Sequence, residues 1–470
     1  MAACLKAEPP SIERSASQES DFMVPLPSQP PATARHGRKR PLDGEEATSG
    51  KTHPRAKGGK WRVQCGARAA GIKNPIREIM DTIAGKENPN KSMISLAMGD
   101  PTAYPHLRPS ELMVNALVGA VTGGSASGYQ PSQGAASCRM AIAEAFSVPG
   151  RPKLTPGDVF MTLGCSEALS HCIAALAVEG SNILLPSPGF PLYQVLCDYH
   201  GVEVRYYKLL PEQGWEVDVA SLANLADEKT CALLVNNPSN PCGTVYSREH
   251  LAKVLGACEE LRLPVIADEV YAGMSFSEPF FACAEVAPSL PVLSVCALSK
   301  RWLAPGWRVG WLMVHDADRV LTEANVPETL LKLCQVSLGP SAPVQAAVPE
   351  IIRDTPAKWY SGVLAALEGS ARCCVRHCAA TPGLEVASEP KGSMYFMVRL
   401  RPGVLAGIDT DDVVFAGALL EEESVAVLPG QCFGAPGYFR VVFAAPPDVL
   451  DQAWSRIEAF CSRRAAAAKK

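Results

Sequence analysis

The sequence predicts an α/β protein: a large domain with a mainly parallel sheet flanked by helices, plus a smaller discontinuous α+β domain. Three observations predict it. From about residue 116 to 345, short apolar runs alternate with helical patterns, as expected of parallel strands buried on both faces. After about residue 345 helical stretches come first and shorter strands follow. The composition, 47% hydrophobic and 20% charged with a net charge of −4 over 470 residues, suits a chain with a substantial core.

Residues 1–65 are rich in Ser, Pro, Lys, Arg and Gly and lack apolar periodicity. Such a composition cannot bury enough surface to offset chain entropy, so a disordered arm is expected. Its basic run, His36-Gly37-Arg38-Lys39-Arg40, reads as a solvated charge run, with a nuclear-import or acidic-partner patch as the functional alternative. Acidic residues such as Glu13, Asp21 and Glu45 argue against a transit peptide. No apolar run reaches the roughly 20 residues of a membrane span, and no signal-peptide pattern opens the chain. A cytoplasmic location without membrane association is expected, with organellar targeting by the arm left open. The mild acidity disfavours nucleic acid as a partner.

Order is expected from Asn74-Pro75, an N-cap and first-turn proline ahead of Ile76, Ile79, Met80 and Ile83 at helical spacing. Residues 66–115 are read as the N-terminal part of the small domain, 116–345 as the large domain, and 346–470 as the rest of the small one. The strand candidates of the large domain are Val159–Leu163, Asn182–Leu185, Cys231–Asn236, Pro264–Ala267, Pro291–Ala297 and Val309–Val314, with helices at Ser166–Val178, Leu192–His200 and Arg248–Leu261. Those of the small domain are Ser393–Val398, Val425–Leu428 and Phe439–Phe443.

The 17 cysteines are scattered and odd in number. A secreted disulfide scaffold would be short and Cys-dense, so buried thiols in a reducing compartment are expected. Cys373, Cys374, His377 and Cys378 form a local cluster, in which Cys374 and Cys378 would share a helix face. No second ligand pair of matching spacing appears, so the cysteines are read as small apolar residues and no metal site is expected.

Ligands of open α/β sheets bind at the carboxyl ends of the strands, and each apolar run is followed there by polar residues. Gly164-Cys165-Ser166 leads from a strand into a helix, an arrangement suited to a phosphate, although Ser166 would serve equally as an ordinary N-cap. In Asn236-Asn237-Pro238-Ser239-Asn240-Pro241-Cys242-Gly243 a rigid loop presents Asn240, which can donate into a site or close an Asx-turn. Asp268, followed by Tyr271, would end a buried strand and needs a partner, by function or by ion pairing. Lys300 also follows a buried strand, with Arg308 close behind. Desolvated, such a lysine is a nucleophile toward carbonyls; otherwise its stem covers apolar surface. Together a phosphate cradle, an Asn, an Asp, a Tyr, a Lys and an Arg form a set that pyridoxal 5′-phosphate (PLP) chemistry can use.

Eight stretches, in order, carry a family resemblance: NPIREIMD from Asn74, GDPTAYP from Gly99, PGFPLY from Pro188, LLPEQGWEVD from Leu209, NNPSNPCG from Asn236, ADEVY from Ala267, SKRWLAPGWRVGW from Ser299 and FRVVF from Phe439. The chain resembles the class I aminotransferases, PLP-dependent enzymes of fold type I, and among them those acting on tyrosine, from about Asn74 to Cys461. The resemblance implies that Lys300 holds the cofactor's aldehyde covalently and moves the substrate's α-proton, and that Asp268 pairs with the pyridinium. It implies that Asn240 and Tyr271 contact the phenolate oxygen, that Phe190 stacks on the ring, and that Arg308, Ser166 and the Cys165 N–H bind phosphate. Tyr129 would reach the phosphate of a neighbouring subunit, making the protein a homodimer. Arg440, with the Gly99 backbone beside it, would grip the substrate carboxylate. Ala297 departs from relatives that carry a phosphate-binding serine there.

The implied reaction moves the amino group of tyrosine or another aromatic amino acid to a 2-oxo acid, 2-oxoglutarate, giving 4-hydroxyphenylpyruvate and glutamate. Its alternatives are a related PLP enzyme (nicotianamine aminotransferase, a C–S lyase or aminocyclopropane-carboxylate synthase) and a non-catalytic PLP-fold regulatory protein. Retention of Lys300, Asp268 and Arg440 speaks against the last. A dinucleotide-binding oxidoreductase lacks its G-x-G-x-x-G after a strand.

Overall fold

The computed structural model describes residues 65–469. The predicted arm, apart from Cys65, lies outside them, as does the basic run His36–Arg40. An eight-stranded sheet runs in the spatial order Val159–Thr162, Gly310–His315, Val292–Ala297, Val265–Asp268, Thr230–Asn236, Asn182–Ser187, Glu203–Leu210, Glu216–Val217. Its centre is parallel, while Gly310–His315 runs antiparallel to both of its neighbours and Glu216–Val217 closes the far edge antiparallel.

The six predicted runs all appear as strands because both faces of the sheet are covered. Successive residues alternate between two apolar clusters: Ile183, Leu185, Leu234, Ile266 and Leu293 pack with helices Cys165–Leu176, Leu192–His200 and Val326–Ser337. On the other face Leu184, Leu233, Val235, Val265 and Val292 pack with Arg248–Glu260. When both sets are buried, the sequence reads as continuously apolar. Glu203–Leu210 is a strand that the run-based reading omitted. It lies beside the sheet edge, only Tyr207 and Leu209 of it are buried, and polar Glu203, Arg205 and Lys208 interrupt its apolar pattern.

A second, four-stranded sheet has the order Leu384–Val386, Tyr395–Leu400, Tyr438–Val442, Leu428–Pro429 and is antiparallel throughout. The predicted strand Val425–Leu428 needs correction: it is two short pieces. Val425–Ala426 pairs with Ile94–Ser95 in a separate ribbon, and Leu428–Pro429 joins the four-stranded sheet. A four-residue apolar run carries no information on where the chain changes partners.

Helix Pro75–Ile83 starts as predicted: the Asn74 side chain accepts from the Arg77 N–H at 3.3 Å, with Pro75 in the first turn. Its Ile76, Ile79 and Met80 pack on the apolar cluster of the second sheet, which also holds helices Ala357–Ala380, Asp412–Glu423 and Pro447–Ala468. Cys374 and Cys378 are fully buried in that cluster. Every cysteine among the described residues is unpaired. Among the described residues no helix is long and apolar enough to cross a membrane.

Candidate active site

The carboxyl ends of Thr230–Asn236, Val265–Asp268 and Val292–Ala297 lie side by side, with Asn236 opposite Asp268 and Asp268 opposite Val295. A cavity of about 680 Å³ opens above them. Lys300, Cys165, Ser166, Phe190, Asn240, Asp268, Tyr271, Arg308, Gly99 and Arg440 all line it. Tyr129 does not; it is 94% exposed.

Asp268 is the last residue of its strand and is buried. The Tyr193 hydroxyl donates to Oδ2 at 2.7 Å, and the Val270 N–H reaches Oδ1 at 3.3 Å. Burial outweighs these bonds and pushes the carboxyl up to about 6. A carboxylate so placed is poised to be stabilised by a cation in the cavity. The neighbouring loop is set by Asn236, whose Nδ2 donates to Asp268 O at 3.1 Å and whose Oδ1 accepts from the Asn240 N–H at 2.7 Å.

Lys300 follows strand Val292–Ala297 and donates from Nζ to the Gly99 carbonyl at 2.6 Å, with the Tyr271 ring centroid 5.9 Å away. The buried Tyr271 hydroxyl bonds the Tyr395 hydroxyl at 2.8 Å, and burial raises its pKa, so it is a neutral donor at physiological pH.

Helix Cys165–Leu176 starts at the cavity, which Cys165 and Ser166 line. Its N-cap is Gly164 (φ +78°), which offers no side chain to the first-turn N–H groups, so they are open to an anion. A Cβ on Gly164 would stand 2.6 Å from Arg308 Nη2. Glycine therefore admits the guanidinium over the helix start, where it donates to the Leu163 and Pro305 carbonyls at 2.9 and 3.0 Å. Burial holds the Cys165 thiol well above its ordinary pKa, so it is no nucleophile at neutral pH. Phe190 meets Tyr193 edge-on at 5.8 Å. Ala297, at the predicted departure, is buried apolar core.

Arg440 also lines the cavity. It is 3% exposed, yet its bonds go to neutral oxygens: Nη1 to Asn240 Oδ1 at 2.9 Å and Nη2 to Ala97 O at 2.7 Å. Its Nε has no partner. The guanidinium lies 4.4 Å from the Tyr395 ring and 4.7 Å from Phe433. A buried cation without a counter-ion is costly, and facing a cavity it calls for an anionic ligand. Arg308 and Lys300 are likewise bonded to neutral carbonyls, so three basic side chains of the lining are available to anionic groups of a ligand.

The reading from sequence missed Tyr193, Tyr395 and the lining residues Asn74, Arg77 and Met80 of the first described long helix. Tyr193 stands in the PGFPLY stretch, and a buried hydroxyl needs a partner, but the sequence does not say which. Tyr395 could have been found from strand register. Arg440 pairs with Met397, so Tyr395 is its diagonal same-face neighbour.

Comparison with known proteins points to one enzyme family. The family model described as aminotransferase class I and II matches residues 91–457. The chain is 42% identical over 412 residues to tyrosine aminotransferase of Mus musculus, covering 87% of this chain and 90% of the mouse protein. It is 37% identical to nicotianamine aminotransferase A of Hordeum vulgare, covering 84% and 86%. A crystal structure of tyrosine aminotransferase from Leishmania infantum superposes with a TM-score of 0.81 at 31% identity, covering 86% of this chain and 99% of that one.

Proposed function

The chain belongs to the aminotransferase class I and II family, and from that membership we propose that it transfers the amino group of tyrosine or another aromatic amino acid to 2-oxoglutarate, with pyridoxal phosphate bound in the cavity. The observation that supports the reading is that Lys300, the Arg308 helix terminus, Arg440 and the buried carboxylate of Asp268 all line one cavity.

The residues fit this cofactor. The uncapped start of Cys165–Leu176, Ser166 and Arg308 suit its phosphate. Asp268, held by Tyr193, suits its ring nitrogen, and Asn240 and Tyr271 suit its phenolate oxygen. Phe190 offers a face to the ring. When bound, pyridoxal phosphate supplies an aldehyde that condenses with amines and a ring that accepts the electron pair left at the substrate's α-carbon. The protein's own residues do the rest. Lys300 Nζ holds the cofactor, then takes and returns the α-proton. Arg440 fixes the substrate carboxylate in a bidentate fork, orienting the Cα–H bond toward Lys300.

The proposal extends to a homodimer. Val114, Val118 and Val121 are exposed on one stripe of helix Glu111–Thr122, and Met140 and Tyr129 are exposed as well. Apolar surface of this kind suits a second copy, and Tyr129 would then act across the interface.

Borohydride reduction of the purified protein followed by peptide mapping tests the reading. The reduced adduct is expected on Lys300, and tyrosine should bleach the absorbance of the bound cofactor. An adduct elsewhere, or none, would refute it.

A pH effect on stability follows from Asp268. Its carboxyl rises from 3.8 to about 6 in the folded chain, so between these values the native state binds more protons than the unfolded one. Stability of the cofactor-free protein should therefore fall as pH rises through that window, by up to roughly 3 kcal/mol. A cofactor cation beside the carboxylate should abolish the loss. Denaturant unfolding of both forms from pH 4 to 7 checks this; equal slopes would count against the Asp268–cofactor contact.

A further inference from the structure

We propose that Cys373, His377 and Asp451 form a binding site for a divalent cation of the zinc class, separate from the active-site cavity. Cys373 and His377 stand four residues apart on helix Ala357–Ala380 and so share a face. Asp451 comes from the first turns of helix Pro447–Ala468, which packs alongside. Cys373 Sγ lies 3.2 Å and His377 Nε2 3.1 Å from the same Asp451 Oδ1. All three ligand atoms lie within 4.8 Å of one another. Zinc–ligand bonds of roughly 2.0–2.3 Å put tetrahedral ligands about 3.3–3.8 Å apart, so side-chain adjustments of an ångström or less would complete the site.

The imidazole is already oriented. His377 stacks on Trp454 with ring planes 8° apart and centroids 6.3 Å apart, which aims Nε2 at the carboxylate. Asp451 is 59% exposed at its side chain, leaving a solvent side where water would be the fourth ligand. Thiolate, imidazole and carboxylate together select zinc-class ions over magnesium or calcium, which take oxygen ligands. A thiolate and a carboxylate also balance the 2+ charge. On binding, the thiol proton leaves to solvent and the Arg376 guanidinium, 3.7 Å from Cys373 Sγ, must turn away. A thiol–imidazole nucleophile is the competing assignment, but both groups address the Asp451 oxygen rather than form a relay. Cys374 and Cys378 are excluded as ligands because both are buried in the apolar core.

The sequence alone could not assemble this set, since Asp451 is 74 residues from His377. Binding would tie the C-terminal helix to its neighbour. The test uses the full-length, cofactor-loaded protein, titrated with Co²⁺ as a spectroscopic probe and with Zn²⁺ by calorimetry. We expect one equivalent bound with a thiolate-to-cobalt charge-transfer band. Cys373→Ser should remove the band, and the near-isosteric Asp451→Asn should weaken Zn²⁺ binding about tenfold or more. No thiolate band in the parent protein, a band that survives Cys373→Ser, or Zn²⁺ affinity unchanged in Asp451→Asn would each overturn the site.

Discussion

Lys300→Ala is expected to lower the rate of amino transfer by about a thousandfold or more while leaving the fold intact, because the substitution removes both the covalent anchor and the base that moves the α-proton. The fold should survive because the amine's hydrogen bond is to the Gly99 carbonyl, which faces a cavity where water can replace it. Rapid-mixing measurement of the half-reaction with tyrosine, together with thermal unfolding, separates the two effects. A half-reaction near the parent rate would remove Lys300 from the chemistry. A collapse of the melting transition would instead give the lysine a structural role. Lys300→Arg retains the charge but not a usable nucleophile, and should be as inactive as the alanine variant.

Arg440→Ala is expected to reduce kcat/KM roughly 30- to several-thousand-fold for every α-amino acid, the range of about 2–5 kcal/mol for truncating one partner of a buried charge pair. The loss should be common to all donors because the carboxylate is common to them, and it should fall chiefly on KM. Arg440→Lys should recover little, since a point charge cannot reproduce the planar fork braced between Tyr395 and Phe433. Steady-state kinetics over a panel of aromatic, aliphatic and acidic donors checks this. A defect confined to one donor would move Arg440 from the carboxylate to the side-chain pocket. Stability should fall as well, because Asn240 Oδ1 and Ala97 O lose their donor. The kinetic comparison is therefore made below the variant's unfolding transition.

Much of the central sheet was legible because burial on both faces leaves an unambiguous local record. The run Cys231–Asn236 needs no distant information to be read as a strand. Glu203–Leu210 was not legible by the same rule, since only two of the eight residues of this edge-side strand are buried. Val425–Leu428 failed differently: its residues are strand-forming, but the change of sheet partner within it is set by Ile94–Ser95 and by Tyr438–Val442, far away in the chain. The site residues were legible as types at strand ends. Asp268 ends an apolar run, Lys300 follows one closely and Arg308 comes soon after Lys300, and those juxtapositions are local.

The order of residues by itself determined the α/β architecture, the family and several of the cavity's ionisable groups, Asp268, Lys300, Arg308 and Arg440 among them. Tertiary structure alone decided who bonds to whom. Tyr193 reaches Asp268 across 75 positions, Arg440 reaches Asn240 across 200, and Lys300 reaches Gly99 across 201. The reason is physical: a strand or helix follows from side-chain periodicity over a few residues, whereas a hydrogen bond or an ion site depends on distances of about 3 Å, which only the packed chain defines.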